Sequence, residues 1–230
     1  MCGIAGILNL NNNPISGLSR QLKVCNWLQK HRGPDDDDIW VHKNKSLGFG
    51  HTRLSIIDIT NGAQPMTDTN GNCVVYNGAI YNYRELIKEI GENNFRTRSD
   101  TEVILKAYER LGFDCLNQFR GMFAFALWDE NKKTLFCARD FFGIKPFYYT
   151  IVGNKFYFAS EIKTLLPFAK QIETDPEAFK EYLTFQFVLK EKTLFKGIKE
   201  LLPGHFLIIK DGQIQIKKYW EIYYDLDFEH

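Results

Sequence analysis

The 230-residue chain carries 29 Lys and Arg against 28 Asp and Glu, so its net charge of +1 offers no strong field to gather phosphate backbones or anionic lipid. With 44% hydrophobic, 15% aromatic and 25% charged residues it has the make-up of a folded domain, and disorder is excluded. At roughly 150 residues per domain, the length allows one large domain or one domain and the start of another. After a short apolar start at 3–8, Leu18, Leu22, Cys25 and Leu28 recur at helical spacing, and this first helix stops before His31-Arg32-Gly33-Pro34. Strand-like stretches follow at 39–42, 47–57 and 73–76, separated by turn formers such as Asn61-Gly62 and Asn70-Gly71. Asn11, Asn12, Asn13 and the acidic run 35–38 read as loops. A second helix begins at Ser99: Ser99 and Glu102 have capping-box spacing, Val103, Ile104, Ala107, Tyr108 and Leu111 make its apolar stripe, and Gly112 ends it.

From Met122 the period changes to two, and Asn131-Lys132 turns the chain into a partner strand at 134–138. Two more hairpins are predicted, 147–151 with 155–159 across Gly153-Asn154, and 206–209 with 213–216 across Asp211-Gly212. Hairpin-linked strands make antiparallel sheets, and the two amphipathic helices must cover sheet faces, which gives an α+β class. The longest apolar run, Met122 to Trp128, is far below the ~20 residues of a membrane-spanning helix. The N-terminus lacks the basic n-region and long h-region of a signal peptide. Five cysteines, Cys2, Cys25, Cys73, Cys115 and Cys137, are odd in number and include no C-x-x-C pair. They fit neither a disulfide framework nor a zinc knuckle, and reducing cytoplasm is the expected compartment.

Cys2 follows the initiator Met and is small enough for an aminopeptidase to expose it. The residue would then carry a nucleophile and, in an α-amine of pKa ~7.7–8.0, its own base. Alone, a Met-Cys start signifies little. It gains meaning beside His31-Arg32-Gly33-Pro34-Asp35, His51-Thr52-Arg53-Leu54-Ser55-Ile56-Ile57-Asp58, Tyr76-Asn77-Gly78, Ser99-Asp100-Thr101-Glu102, Gly121-Met122-Phe123-Ala124-Phe125-Ala126, Ala138-Arg139-Asp140 and Gly143-Ile144-Lys145-Pro146. In this order and spacing the series resembles the glutaminase domain of glutamine-hydrolysing asparagine synthetase, a class II glutamine amidotransferase of the N-terminal-nucleophile (Ntn) hydrolase type.

The resemblance covers residues 2–166. Residues 167–230, with Thr193-Leu194-Phe195-Lys196-Gly197-Ile198 and Leu202-Pro203-Gly204-His205, resemble the connection into that family's ATP-using synthetase domain, whose Ser-Gly-Gly-x-Asp-Ser loop is not in this sequence. The resemblance implies a four-layer αββα sandwich, with Cys2 attacking the glutamine side-chain amide, ammonia leaving, and water cleaving the thioester. Asn77 and Gly78 would form the oxyanion hole; a neutral carboxamide donates without a competing charge, and glycine lets the backbone approach. By itself Asn77-Gly78 reads as a hairpin turn. Arg53 would hold the α-carboxylate through a bidentate guanidinium, where an isolated Arg reads as solvated surface. Asp100 would accept from the α-ammonium while also favouring the start of its helix.

In the family the residue after Tyr-Asn-Gly is Glu, a second acceptor for that ammonium; here it is Ala79. The implied partners are glutamine and a synthetase domain in cis or trans, with homodimerisation left open and no nucleic acid or membrane. No cofactor is expected in this chain, and ATP and Mg only in the synthetase domain. His31, His42, His51 and the acids 35–38 show no metal-ligand spacing. Asp129, Glu130, Lys132 and Lys133 read as a charged surface turn. Two other readings stand beside asparagine synthesis: the same glutaminase serving another carboxylate such as a sugar acid, and a catalytically weak scaffold.

Overall fold

The structure, a computed structural model, describes residues 1–224, and 225–230, the end of the expected C-terminal extension, lie outside them. In chain order the strands are β1 (Gly3–Asn9), β2 (Asp36–Val41), β3 (Leu47–Arg53), β4 (Met66–Thr67), β5 (Cys73–Ile80), β6 (Gly121–Asp129), β7 (Thr134–Arg139), β8 (Tyr148–Val152), β9 (Lys155–Ala159), β10 (Lys199–Glu200), β11 (His205–Lys210) and β12 (Gln213–Lys218). The helices are α1 (Leu18–Leu28), α2 (Tyr83–Ile90), α3 (Asp100–Leu111), α4 (Ile162–Leu165) and α5 (Pro176–Phe185).

One sheet has the order β10-β8-β9-β1-β3-β2, the other β12-β11-β7-β6-β5-β4. All the strand pairs are antiparallel. Period-two alternation sorts their side chains into layers. Ile4, Leu47 and Phe49 from the first sheet meet Cys73, Val75, Ala124, Ala126, Leu135 and Leu207 from the second in the layer between them. Ala5, Ile7 and Tyr157 face outward onto Leu18, Leu22 and Cys25 of α1 and Leu165 of α4. Val74, Phe125 and Phe136 face the other way onto Leu86 of α2 and Val103, Ile104 and Tyr108 of α3. This is the expected αββα sandwich, and its doubly covered strands explain why β1 is a continuous small and apolar run.

The helix ends follow local chemistry. Ser99 Oγ accepts from the Thr101 N–H at 3.1 Å, capping α3, a contact worth about 1 kcal/mol. The return half of the capping box does not form, because Glu102 accepts instead from the N–H groups of Arg96 and Thr97. Gly112 ends α3 at a φ of 59°. Asp211 and Gly212, with φ of 51° and 74°, make the predicted turn between β11 and β12.

Other sequence expectations are corrected. The hairpin turn that Asn77-Gly78 suggests in isolation, and that the motif series already outweighs, does not form; the pair lies inside β5, opposite Ala124 and Phe123 of β6. The strand expected over 47–57 ends at Arg53, because β1 begins at Gly3 opposite Thr52 and offers no further partner. Asp36, Asp37 and Asp38 are strand residues of β2, where exposed charge protects a sheet edge. Asp129 is buried and accepts from Tyr108 Oη at 2.9 Å, so it is not a surface acid. Beyond the two expected helices stand α2 and α5, the latter capped by Asp175 with Pro176 at its first position. Among the described residues no helix is long and apolar enough to cross a membrane.

Candidate active site

The same alternation brings the candidate residues together. Cys2 shares the parity of Ile4, Arg53 that of Phe49, and Asn77 that of Val75, so all three lie on the inner faces at one end of the sandwich. They line one cavity of about 200 Å³ with Gly78, Ala79, Asp100, Met122 and Lys145. Sequence separation of almost a hundred residues is closed by β1, β3, β5 and α3.

Cys2 is half-buried, its Sγ 3.4 Å from the Leu54 N–H. Burial pushes its thiol up, opposed by the Leu54 N–H, the terminal ammonium and Arg53, while Asp100 adds to the rise. With Met1 in place the Cys2 nitrogen is a peptide nitrogen, and Met1 itself lines the cavity. Arg32 Nε donates to the Cys2 carbonyl at 3.0 Å and Arg32 Nη1 to Glu161 Oε1 at 3.2 Å. Burial opposes the charge of Glu161, but hydrogen bonds from His31, Lys163 and Arg32 hold its carboxyl below the usual range.

Asn77 is buried, and its Nδ2 has no hydrogen-bond partner among the described residues. An unpartnered buried donor costs about 1–3 kcal/mol, and such exceptions call for an explanation. An oxyanion at this end of the cavity would satisfy it. A Cβ on Gly78 would stand 2.3 Å from the Met122 carbonyl oxygen, so only glycine permits this approach of β5 to β6.

Arg53 is buried rather than solvated. Nη1 donates to the Ile59 carbonyl at 3.0 Å and Nη2 to that of Asp58 at 2.8 Å, so residues 58–62 wrap the guanidinium. A Cβ at Gly62 would lie 2.7 Å from Nη2, which places a glycine in that wrap. Asp100 opens α3 and also lines the cavity. Its Oδ2 accepts from Tyr76 Oη at 2.8 Å and the Ile80 N–H at 3.1 Å. Burial pushes this carboxyl up, with those two bonds opposing.

Arg32, Tyr76 and Lys145, which the sequence presents within the motifs but without a role, stand near the cavity together with Gln64 and Glu161, which lie outside those motifs. Gln64 accepts from the Tyr76 N–H at 2.7 Å and donates to Thr101 Oγ1 at 3.2 Å, bracing β5 against α3. The three histidines that a metal site would have drawn on go to separate places: His31 to Glu161, His42 to Glu130 and Asn44, and His51 to the buried inner face, where desolvation lowers it to about 3.

A cysteine beside an unpartnered amide donor, a buried guanidinium and a buried carboxyl can perform acyl transfer on a small amino-acid amide. The family model described as glutamine amidotransferase domain matches residues 1–220, and the chain belongs to that family. The glutamine-hydrolyzing asparagine synthetase 1 of Bacillus subtilis (strain 168) is 42% identical over 228 residues, covering 96% of this chain and 35% of the relative. The putative glutamine-hydrolyzing asparagine synthetase 2 of Methanocaldococcus jannaschii is 39% identical over 245 residues, covering 96% and 47%. This chain thus spans between a third and a half of the length of these relatives. The solved glutamine phosphoribosylpyrophosphate amidotransferase of B. subtilis superposes with a TM-score of 0.69 at 18% identity, over 95% of this chain and 49% of that one, a likeness of fold.

Proposed function

We propose that the chain hydrolyses glutamine to glutamate and ammonia, with Cys2 as the nucleophile after removal of Met1. The observation that carries this reading is the single cavity shared by Cys2, Arg53, Asn77, Gly78 and Asp100, with the Asn77 amide left unpartnered. Arg53 binds the substrate α-carboxylate and Asp100 its α-ammonium, which aims the side-chain amide at Cys2. The freed α-amine takes the thiol proton, sulfur attacks the amide carbon, and the oxyanion is held by Asn77 Nδ2 and the Gly78 N–H. The proton passes to the leaving nitrogen, ammonia departs, and water cleaves the thioester through a second oxyanion at the same donors.

The ammonia serves a synthetase domain, in cis or trans, that amidates an activated carboxylate; the names of the relatives favour aspartate, hence asparagine. In this reading ATP and Mg belong to that domain and the glutaminase step needs no cofactor. Residues 2–166 form the glutaminase unit and 167–230 the extension toward the synthetase, although β10 to β12 of that extension pair into both sheets. Ala79, facing the cavity where the resemblance implies Glu, favours a second reading as a weak glutaminase. A glutaminase assay on the processed chain, before and after alkylation of Cys2 with a glutamine-mimicking electrophile, separates the two.

A further inference from the structure

The turn after β7 is fixed by two adjacent buried side chains. Asp140 accepts from the N–H groups of Phe123, Phe142, Ile144 and Lys145 at 2.9 to 3.1 Å. Arg139 donates to the carbonyls of Gly143 at 2.7 Å, Lys145 at 2.8 Å and Leu201 at 2.6 Å. Both backbone groups of Lys145 are therefore held, and the residue lines the cavity of Cys2 at only 5% exposure. Among the described residues its ammonium has no hydrogen-bond or ion-pair partner. Lys145 and Cys2 line the same cavity, so the field of an ammonium without a counter-ion reaches the nucleophile's thiol.

We propose that Lys145 sets the ionisation state of Cys2, its ammonium favouring thiolate over thiol and, once Met1 is gone, the neutral over the charged form of the new α-amine. The lysine acts through space and is a positioning residue. Its role in turnover rests on the glutaminase reading; its effect on the thiol does not. Burial and then Arg32 push the Lys145 ammonium down, while Asp140 and Cys2 pull it up. Cys2 itself is faced by the terminal ammonium, Arg53 and Asp100. Tyr76, whose phenol burial pushes up, also faces Cys2. Electrostatic coupling is mutual, so a thiolate that favours the ammonium is favoured by it.

The test is the rate of iodoacetamide alkylation of the processed chain as a function of pH. Cys25, Cys73, Cys115 and Cys137 are buried, with thiols pushed up by burial, so the native protein reports Cys2, and mass spectrometry locates the adduct. Lys145→Met is expected to raise the midpoint by about one unit, slowing alkylation at pH 7 about tenfold, and Lys145→Arg to restore most of it. Where Lys145→Met does not fold, Lys145→Gln is read the same way. An unmoved midpoint in a folded neutral variant, or an equal shift in Lys145→Arg, overturns the proposal. The expected shift in Lys145→Met together with a processed wild type that has no glutaminase activity leaves it standing and overturns the functional reading instead.

Discussion

Tyr76 donates its phenolic hydrogen to Asp100 Oδ2 at 2.8 Å and so ties the outer face of β5 to the first turn of α3. The next residue, Asn77, points to the opposite face, into the cavity. One strand thus sets the proposed oxyanion donor and the proposed ammonium acceptor in a fixed relation.

The pH dependence of glutamine use follows from this pair. Only ionised Asp100 holds an ammonium, and burial raises its carboxyl above the ordinary 3.8. As pH falls through that raised value, kcat/KM for glutamine should fall, at a higher pH than an ordinary Asp gives. Tyr76→Phe removes a bond that favours the carboxylate, so the acid limb should move further up. A wild-type limb at or below 3.8, or no movement in the variant, contradicts the assignment.

Asn77→Ala should lower kcat about 10²- to 10³-fold with little change in KM, since its donor acts on charge that exists only in the transition state. Arg53→Ala should raise KM about ten- to a hundredfold. It should also expose residues 54–62 to limited proteolysis, because the Asp58 and Ile59 carbonyls lose their donor. Equal effects on kcat and KM in both variants contradict the division of roles.

Much of this was legible in the sequence for local reasons. Ser99, the apolar stripe behind it and Gly112 mark α3, and Asp211-Gly212 marks its hairpin, because caps and turns are built from neighbours in the chain. Asn77-Gly78 was ambiguous because a tight turn and a close strand approach both favour glycine, and the pairing with β6 that decides between them is nonlocal. Arg53 and Lys145 carry no sequence sign of burial; their surroundings come from residues 58–62 and from the Arg139-Asp140 clamp. The helix α5 has its cap and proline in plain view, yet Phe179, Tyr182 and Leu183 are exposed, so its apolar residues do not report a core.

Acid stability should depend on Glu130. It accepts from Lys133, Trp128 and His42 and pairs with Lys43 at 3.1 Å. Burial opposes its charge, but these contacts prevail and lower the carboxyl to about 2. The stability this adds is present above the unfolded value of 4.5 and is lost as pH falls toward 2. With the shift discounted for solvent screening at this surface cluster, Glu130→Gln should cost about 1–2 kcal/mol in urea unfolding at pH 7 and less at pH 3. An equal cost at both pH values contradicts the linkage.

Ala79 supplies no carboxylate where the resemblance implies one. The loss of one charge-assisted hydrogen bond is worth about 1.5–3 kcal/mol, so KM for glutamine should be high and Ala79→Glu should lower it about ten- to a hundredfold. An unremarkable wild-type KM with no gain in Ala79→Glu shows that another group already holds the ammonium.

The central claim is that Cys2, freed of Met1, is the nucleophile. The most direct measurement is glutaminase turnover of two preparations distinguished by intact mass, one retaining Met1 and one beginning at Cys2. The processed chain should turn over and lose activity when its cysteine is alkylated, and the chain retaining Met1 should be inactive, because an amide nitrogen is no base. Full turnover with Met1 in place, or after alkylation of Cys2, contradicts the account.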